Sequence, residues 1–73
     1  MTNYKVGIIG CGGRGRAHAE GYQAADNASI AACSDPIEAT RQSFAQEFEV
    51  KTTYDDYREM LAREQLDIVS VCT

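Results

Sequence analysis

Residues 10–15 read Gly-Cys-Gly-Gly-Arg-Gly and directly follow an apolar run that ends at Ile9. The first, third and sixth positions are glycines, the G-x-G-x-x-G arrangement typical of a strand that turns into a helix around a dinucleotide. Gly10 permits the tight turn, Gly12 lets a pyrophosphate approach the backbone, and Gly15 lets the helix pack closely on the strand. The N–H groups at the helix start then bind the phosphates, aided by the helix dipole.

Two further positions of the turn, Gly13 and Arg14, complete the predicted phosphate site. We expect the Arg14 guanidinium either to lie by the pyrophosphate or to stack near the adenine. A solvated arginine at the start of a helix is the alternative, and the sequence leaves it open.

An acidic residue, Asp35, follows the glycine turn by about 20 residues, as the fingerprint requires. Its carboxylate can accept hydrogen bonds from both ribose hydroxyls of the adenosine half, and it would repel a 2′-phosphate. The sequence therefore favours NAD over NADP. Asp35 can also serve as the N-cap of a helix that starts at Pro36, and the two roles are compatible.

Apolar runs alternate with helical patterns along the whole chain. Continuous apolar runs are typical of parallel strands covered on both faces. Right-handed crossovers then give an α/β, Rossmann-type doubly wound sheet of about four strands in the order 3-2-1-4. The predicted strands are residues 4–9, 30–33, 50–53 and 66–72, and the predicted helices are residues 14–25, a second that begins at Pro36 and a third around residues 57–61.

The helical spacing also predicts which side chains face the sheet. In the first helix, the small side chains at two of these positions would allow a close approach to the strands. The predicted buried residues are Ala17, Gly21, Tyr22 and Ala25 in the first helix, Ile37, Phe44, Ala45 and Phe48 in the second, and Tyr57, Met60 and Leu61 in the third.

Length and composition restrict the possible functions. The 73 residues carry a formal net charge of −4, which argues against nucleic acid as a partner because such binders need a basic face. No run approaches the length of a membrane span. The three cysteines form no C-x-x-C pair and suit reduced thiols in the cytoplasm.

A full dinucleotide domain has six strands. We therefore expect residues 1–73 to be the N-terminal part of such a domain, with a substrate domain encoded elsewhere.

Candidate catalytic groups are few. His18 is the single histidine and is more often structural than catalytic in such a place, and the sequence offers it no metal-ligand partners at suitable spacing. Cys11, Cys33 and Cys72 follow or end predicted strands, where small buried residues are the simpler interpretation than a thiolate metal site. The sequence thus assigns no catalytic residue and no metal ligand.

The chain resembles the N-terminal part of the glucose–fructose oxidoreductase and inositol dehydrogenase family (Gfo/Idh/MocA). The glycine turn alone is shared by many dinucleotide folds, whereas its combination with Ser-Asp-Pro, Tyr-Asp-Asp-Tyr and Asp-Ile-Val-Ser-Val-Cys-Thr is more specific. The matching stretches are residues 5–18, 33–36, 54–61 and 67–73.

The resemblance implies a two-domain NAD(P)-dependent oxidoreductase acting on sugars, cyclitols or related polyols. It also implies that residues 10–15 bind the pyrophosphate, that Asp35 holds the adenosine ribose and that Thr73 lies beside the cofactor. The acid/base residues of the family lie beyond Thr73, and we expect the full-length protein to be a homo-oligomer. A non-catalytic dinucleotide sensor and a flavoprotein remain open as alternatives.

Overall fold

The computed structural model describes residues 3–72, in which strands and helices alternate as predicted. The longest helix has 12 residues, and none within residues 3–72 is both long and apolar enough to cross a membrane. The first strand has its predicted bounds, and the other elements differ from theirs by a residue or two. The elements are β1 (Tyr4–Ile9), α1 (Gly13–Ala24), β2 (Ala28–Ser34), α2 (Glu38–Phe48), β3 (Thr52–Tyr54), α3 (Tyr57–Arg63) and β4 (Ile68–Val71).

The strands form one four-stranded parallel sheet in the order β3-β2-β1-β4. This confirms the predicted order 3-2-1-4. At the carboxyl end of β1, Ile9 pairs with Ser34 of β2 and with Val71 of β4. Because parallel strands end at a common edge, the glycine turn after β1 and Asp35 after β2 come together there.

Helices cover both faces of the sheet, which confirms the doubly wound architecture. The larger core lies under α1 and α2, and its buried members include Ile8, Cys33 and Phe44. The smaller core lies under α3, where Met60 clusters with Ile9. Adjacent residues of β1 thus serve opposite faces, which is why its apolar run is continuous.

The face of α1 that meets the sheet differs from the prediction. Ala17 and Gly21 are exposed, whereas Gly15 and Ala19 are buried and Tyr22 is half-buried. Positions 15, 19 and 22 follow the spacing of one helical face, and Ala17 lies on the far side of it. Small residues occur all around this helix, so the sequence pattern could not identify the packed face.

Three apolar residues predicted to be buried are exposed instead. Ile37 is 61% exposed, Tyr57 48% and Leu61 45%. Ile37 is the N-cap of α2, which begins at Glu38 and not at Pro36, so its side chain lies outside the helical stripe. In α3, which has only seven residues, Met60 alone is buried.

The start of β3 also differs from the prediction, for a backbone reason. Glu49 caps α2 in the left-handed region with a φ of 56°, and the Val50 N–H donates to the Ala45 carbonyl oxygen at 2.9 Å. That donor closes the helix and is not available to the sheet. Val50 is buried in the larger core, and β3 begins at Thr52.

Two glycines of α1 should respond oppositely to alanine. A Cβ on Gly15 would overlap the Gly10 carbonyl oxygen, whereas none of the described heavy atoms lies within 4 Å of a Cβ on Gly21. We expect Gly15→Ala to lower the unfolding free energy by about 1–3 kcal/mol and Gly21→Ala to raise it by about 0.5–1 kcal/mol. Urea unfolding of the full-length protein measures both, and a Gly15→Ala protein as stable as the wild type would contradict this packing.

Candidate cofactor-binding site

The turn after β1 has the geometry that its glycines predict. Gly10 has a φ of 96°, a conformation that residues with a side chain rarely adopt. Its N–H donates to the Ser34 carbonyl oxygen at 2.9 Å, so the turn starts from a position that is still paired with β2. A Cβ on Gly15 would also lie 3.5 Å from Cγ2 of Ile8. The missing side chains therefore let α1 begin directly against the sheet.

The backbone at the start of α1 is accessible. Gly12 and Gly13 are exposed, and no described heavy atom lies within 4 Å of the position of a Cβ on either. Gly12 is the N-cap, and its carbonyl oxygen accepts the first helical hydrogen bond from the Arg16 N–H at 2.9 Å. The N–H groups of the first turn have no intrahelical acceptor, and that turn contains no acidic residue. This arrangement suits an anion.

Asp35 lies against this turn. Its Oδ2 accepts a hydrogen bond from the Cys11 N–H at 2.9 Å, across 24 residues of sequence, and its Oδ1 accepts one from the Ile37 N–H at 2.8 Å. The Arg41 guanidinium donates through Nη1 to the Asp35 carbonyl oxygen at 2.8 Å. The side chain and the backbone of Asp35 are thus both fixed, and the carboxylate is half-buried beside the helix start.

The alternative role predicted for Asp35, as the N-cap of a helix starting at Pro36, is wrong. Ile37 occupies the N-cap position, and α2 begins at Glu38. Asp35 instead holds the connection that precedes the helix, through its bond to the Ile37 N–H. The carboxylate therefore remains at the carboxyl edge of the sheet, next to the glycine turn.

The remaining predicted site residues are placed as follows. Arg14 is exposed in the first turn of α1, and Thr73 lies outside the described residues. Burial raises the pKa of the Cys72 thiol, and the positive charge of Arg14 partly opposes this rise. His18 is exposed on α1.

The three cysteines are buried and form no disulfide. The Cys11 thiol donates to the Ser34 carbonyl oxygen at 3.4 Å. A hydrogen bond with the Cys33 thiol, together with burial, raises the pKa of Cys11. Within residues 3–72 there is no group of three or more His, Cys, Asp or Glu side chains that could hold a metal ion. The cysteines therefore belong to the packing beneath the turn.

Two clefts open at the carboxyl edge and meet at the Cys11–Asp35 hydrogen bond. The first, here called the α3 cleft, has a volume of about 570 Å³, and the second, the α2 cleft, one of about 510 Å³. The α3 cleft is lined by Ile9, Gly10, Ser34, Asp35, Pro36, Asp55, Asp56, Tyr57 and Arg58. The α2 cleft is lined by Cys11, Gly12, Gly13, Arg16, Ala39, Thr40 and Ser43.

Sequence reasoning missed the link between α1 and α2 beside the turn. Arg16 forms an ion pair with Glu47 at 3.0 Å and donates through Nη2 to the Ser43 hydroxyl at 2.8 Å. The two helices are separated by a strand, so no local charge pattern predicts this pair. It also missed Ser34, which only the alternation of side chains along β2 could have placed towards α3.

Residues 4–73 match the model of the Gfo/Idh/MocA group, described as an oxidoreductase family with an NAD-binding Rossmann fold. The chain belongs to this family. Over 73 residues it is 34% identical to D-apiose dehydrogenase of Paraburkholderia graminis, a match that covers 100% of this chain and 20% of that protein. The resemblance stated from the sequence motifs is thereby confirmed.

Solved structures share the fold. An oxidoreductase from Agrobacterium radiobacter in complex with NAD⁺, L-tartaric acid and magnesium matches with a TM-score of 0.93 and 25% identity, over 99% of this chain and 21% of that chain. A scyllo-inositol dehydrogenase from Lactobacillus casei with bound NAD(H) and scyllo-inositol matches with a TM-score of 0.90 and 23% identity, over 99% and 22%. The chain thus spans about a fifth of the length of these relatives.

The Asp35 carboxylate should hold the glycine turn even before any ligand binds. In Asp35→Ala, the Cys11 N–H loses its acceptor, and we expect its amide exchange to accelerate about tenfold. Asp67→Ala is the matched control, because that carboxylate accepts the Lys5 N–H at 2.8 Å at the opposite end of the sheet. The exchange rate of the Cys11 backbone amide, measured in the full-length protein, tests this prediction. Equal protection in the wild type and in Asp35→Ala would contradict this role.

Proposed function

We propose that this chain is the cofactor-binding part of an NAD-dependent oxidoreductase that acts on a sugar, a cyclitol or a related polyol. One observation carries the proposal: the uncapped start of α1 and the Asp35 carboxylate lie side by side, joined by the Cys11 N–H. The first suits a pyrophosphate and the second suits vicinal ribose hydroxyls. The family, whose relatives include sugar and inositol dehydrogenases, supports the same substrate class.

Different residues are assigned to the different parts of the cofactor. The N–H groups at Gly12, Gly13 and Gly15 would hold the pyrophosphate, with the charge of Arg14 beside it. Asp35 would accept hydrogen bonds from the adenosine ribose over the end of β2. Because β4 lies on the other side of β1, the nicotinamide half would extend towards the end of β4. There Thr73, outside the described residues, would contact it.

Bound NAD supplies a hydride acceptor at its nicotinamide ring. The residues of this chain bind and orient the cofactor, and we assign none of them the transfer of a substrate proton. We propose that the acid/base groups and the substrate domain come from further residues of the full-length protein, with residues 1–73 as the N-terminal part of its dinucleotide-binding domain. The much greater length of the relatives supports this division.

Charge at the α3 cleft supports NAD over NADP. Asp35, Asp55 and Asp56 line this cleft, and the one cation among its described lining residues, Arg58, is held by Asp56 through bonds of 2.8 and 3.1 Å. A 2′-phosphate placed at the ribose would meet the Asp35 carboxylate directly. The proposal further includes a cytoplasmic location, supported by the free thiols, and a homo-oligomeric full-length protein, which the family resemblance suggests.

Calorimetric titration of the full-length protein tests the cofactor assignment. We expect NAD to bind at least about tenfold more tightly than NADP, because of repulsion at Asp35. In Asp35→Ala, NAD affinity should fall about tenfold or more, since hydrogen bonds to a charged acceptor are lost. The ratio of the NADP Kd to the NAD Kd should then decrease. Asp67→Ala, at the far end of the sheet, should bind both as the wild type does. Indifference of NAD affinity to Asp35→Ala would refute the ribose role.

A substitution at Gly12 separates binding from folding. The site of its Cβ is open and its φ is −83°, so Gly12→Ala should cost no more than about 1 kcal/mol of stability, from the poorer N-cap. The same methyl group would occupy the approach of the pyrophosphate, and we expect the Kd of NAD to rise more than about tenfold. Unfolding and titration measured on the same preparation give both quantities. Unchanged NAD affinity would place the pyrophosphate elsewhere.

Turnover separates the enzyme from a non-catalytic dinucleotide sensor. The full-length protein is incubated with NAD and a panel of sugars, cyclitols and polyols, and NADH formation is followed by absorbance. Formation of NADH with one substrate class supports the oxidoreductase. Binding of NAD without turnover across the panel would favour the sensor.

A further inference from the structure

Two buried thiols lie in contact beneath the glycine turn. Cys11 and Cys33 are both 0% exposed and belong to the same core cluster. Cys11 lies in the turn after β1, Cys33 lies in β2, which pairs with β1, and the two thiols are hydrogen-bonded to each other. The proposed function uses the Cys11 N–H but neither thiol. Two cysteines on neighbouring segments with their sulfurs in contact are candidates for a disulfide.

The surroundings of the pair favour a thiolate at Cys33. The hydrogen of the Cys11 thiol has two acceptors within reach, the Ser34 carbonyl oxygen at 3.4 Å and the Cys33 sulfur. The hydrogen bond from Cys11, together with the positive charge of Arg41, lowers the pKa of the Cys33 thiol, against the effects of burial and of the Asp35 carboxylate. Since the thiolate is the nucleophile, Cys33 is the sulfur that reacts first with an oxidant.

The pair lies directly behind the α2 cleft. Cys11 is one of the residues that line this cleft, although it is also a buried member of the core. Its neighbours in the cleft wall, Gly12 and Gly13, have no side chains that could cover the sulfurs. A small oxidant such as hydrogen peroxide therefore has a short path from the cleft to the pair. Disulfides in the cytoplasm are usually transient, and many of them sense the redox state.

A disulfide between these two residues would move the turn and not the sheet. Cys33 is held on both sides, since it pairs with Ile8 of β1 and with Thr53 of β3. Cys11 lies outside any strand, between β1 and α1. Covalently bonded sulfurs lie closer together than hydrogen-bonded thiols, so the turn has to shift towards β2. That shift displaces the Cys11 N–H from the Asp35 carboxylate and moves the start of α1.

We propose that Cys11 and Cys33 form a reversible disulfide when the protein meets a peroxide, and that this disulfide weakens the binding of NAD. The effect on NAD rests on the proposed function, because the turn that moves is the one assigned to the pyrophosphate. The disulfide itself does not depend on that assignment. The pair is thus a redox modification site that couples the level of oxidant to cofactor binding.

The oxidation has two steps and consumes one peroxide. The Cys33 thiolate attacks one oxygen of hydrogen peroxide, an S–O bond forms as the O–O bond breaks, and the departing hydroxide takes up a proton and becomes water. The Cys11 sulfur then attacks the sulfur of the resulting sulfenic acid, an S–S bond forms as the S–O bond breaks, and the departing hydroxide leaves as water with the Cys11 proton. The two thiols together lose two electrons, and the peroxide is reduced to two molecules of water.

Peptide mapping under non-reducing conditions detects the disulfide in the full-length protein. Trypsin cleaves after Lys and Arg, so Cys11 lies on the peptide of residues 6–14 and Cys33 on the peptide of residues 17–41. We expect these two peptides to be linked after treatment with hydrogen peroxide and to be released by dithiothreitol. Bound NADH should slow the formation of the link, because it holds the turn in place.

Titration with NADH, followed by its fluorescence, measures the effect on the cofactor. We expect the Kd of NADH to rise about tenfold or more in the oxidised full-length protein and to return after reduction. Cys11→Ala and Cys33→Ala should still bind NADH but lose this reversible response, because each lacks one sulfur of the pair. Cys72→Ala is the matched control. Cys72 is also buried but directly follows β4, so this variant should respond as the wild type does.

The two levels of the proposal fail separately. Absence of the link between residues 6–14 and 17–41 in the oxidised wild type overturns the disulfide. A link that leaves the Kd of NADH within about twofold of its reduced value overturns the coupling, as does a reversible response that Cys11→Ala or Cys33→Ala retains. A reduced protein that does not bind NADH refutes the proposed function, whereas the peptide map still tests the disulfide.

Discussion

The hydrogen bond from the Cys11 N–H to the Asp35 carboxylate is the constraint on which the carboxyl edge depends. It joins the turn after β1 to the connection after β2 at 2.9 Å. The pairing of Ile9 with Ser34 brings these two segments within reach, and the absence of a Cβ at Gly15 lets α1 start beside them. A charged acceptor makes such a bond stronger than one between neutral groups. The open backbone at the start of α1 and the carboxylate are therefore held at a fixed position relative to each other by the chain itself.

The net charge of this chain disfavours an anionic ligand, whereas the local charges at the start of α1 favour one. The local arrangement explains how an acidic protein can bind an anion. The net charge is −4. The carboxylates of the edge line the α3 cleft, whereas the residues that line the α2 cleft are glycines, small or hydroxyl side chains, a buried cysteine and Arg16. The start of α1, whose first N–H groups have no intrahelical acceptor, lies beside the α2 cleft. Under the proposed function, the phosphates would lie at the start of α1 and the adenosine ribose at Asp35, so the two parts of the cofactor would meet different charges.

The fold and the centre of the site follow from short-range sequence rules. Glycine spacing predicted the strand-turn-helix unit because Gly10 needs a positive φ and Gly15 a close contact, both properties of single residues. The handedness of crossovers then fixes the strand order. The packed face of α1 escaped the same reasoning, because alanines and glycines at positions 15, 17, 19 and 21 look alike to a hydrophobic pattern. The choice of Gly15 and Ala19 depends on where the turn places the helix, which is a tertiary property.

Two of the wrong predictions of burial fall at the start of a helix, shortly after a strand ends. Ile37 follows β2 and Tyr57 begins α3, and in both cases the sequence pattern assigned an apolar side chain to the core. A pattern of this kind assumes that every apolar side chain is buried by the chain itself, yet a ligand site needs apolar surface that stays open until the ligand covers it. Among the described residues, the Ser34 hydroxyl is a buried polar group without a hydrogen bond, which the sequence pattern did not predict either. The exposed Tyr57 ring and the Ser34 hydroxyl line the same α3 cleft, so both departures from the sequence pattern lie beside the candidate cofactor site, where such departures are expected.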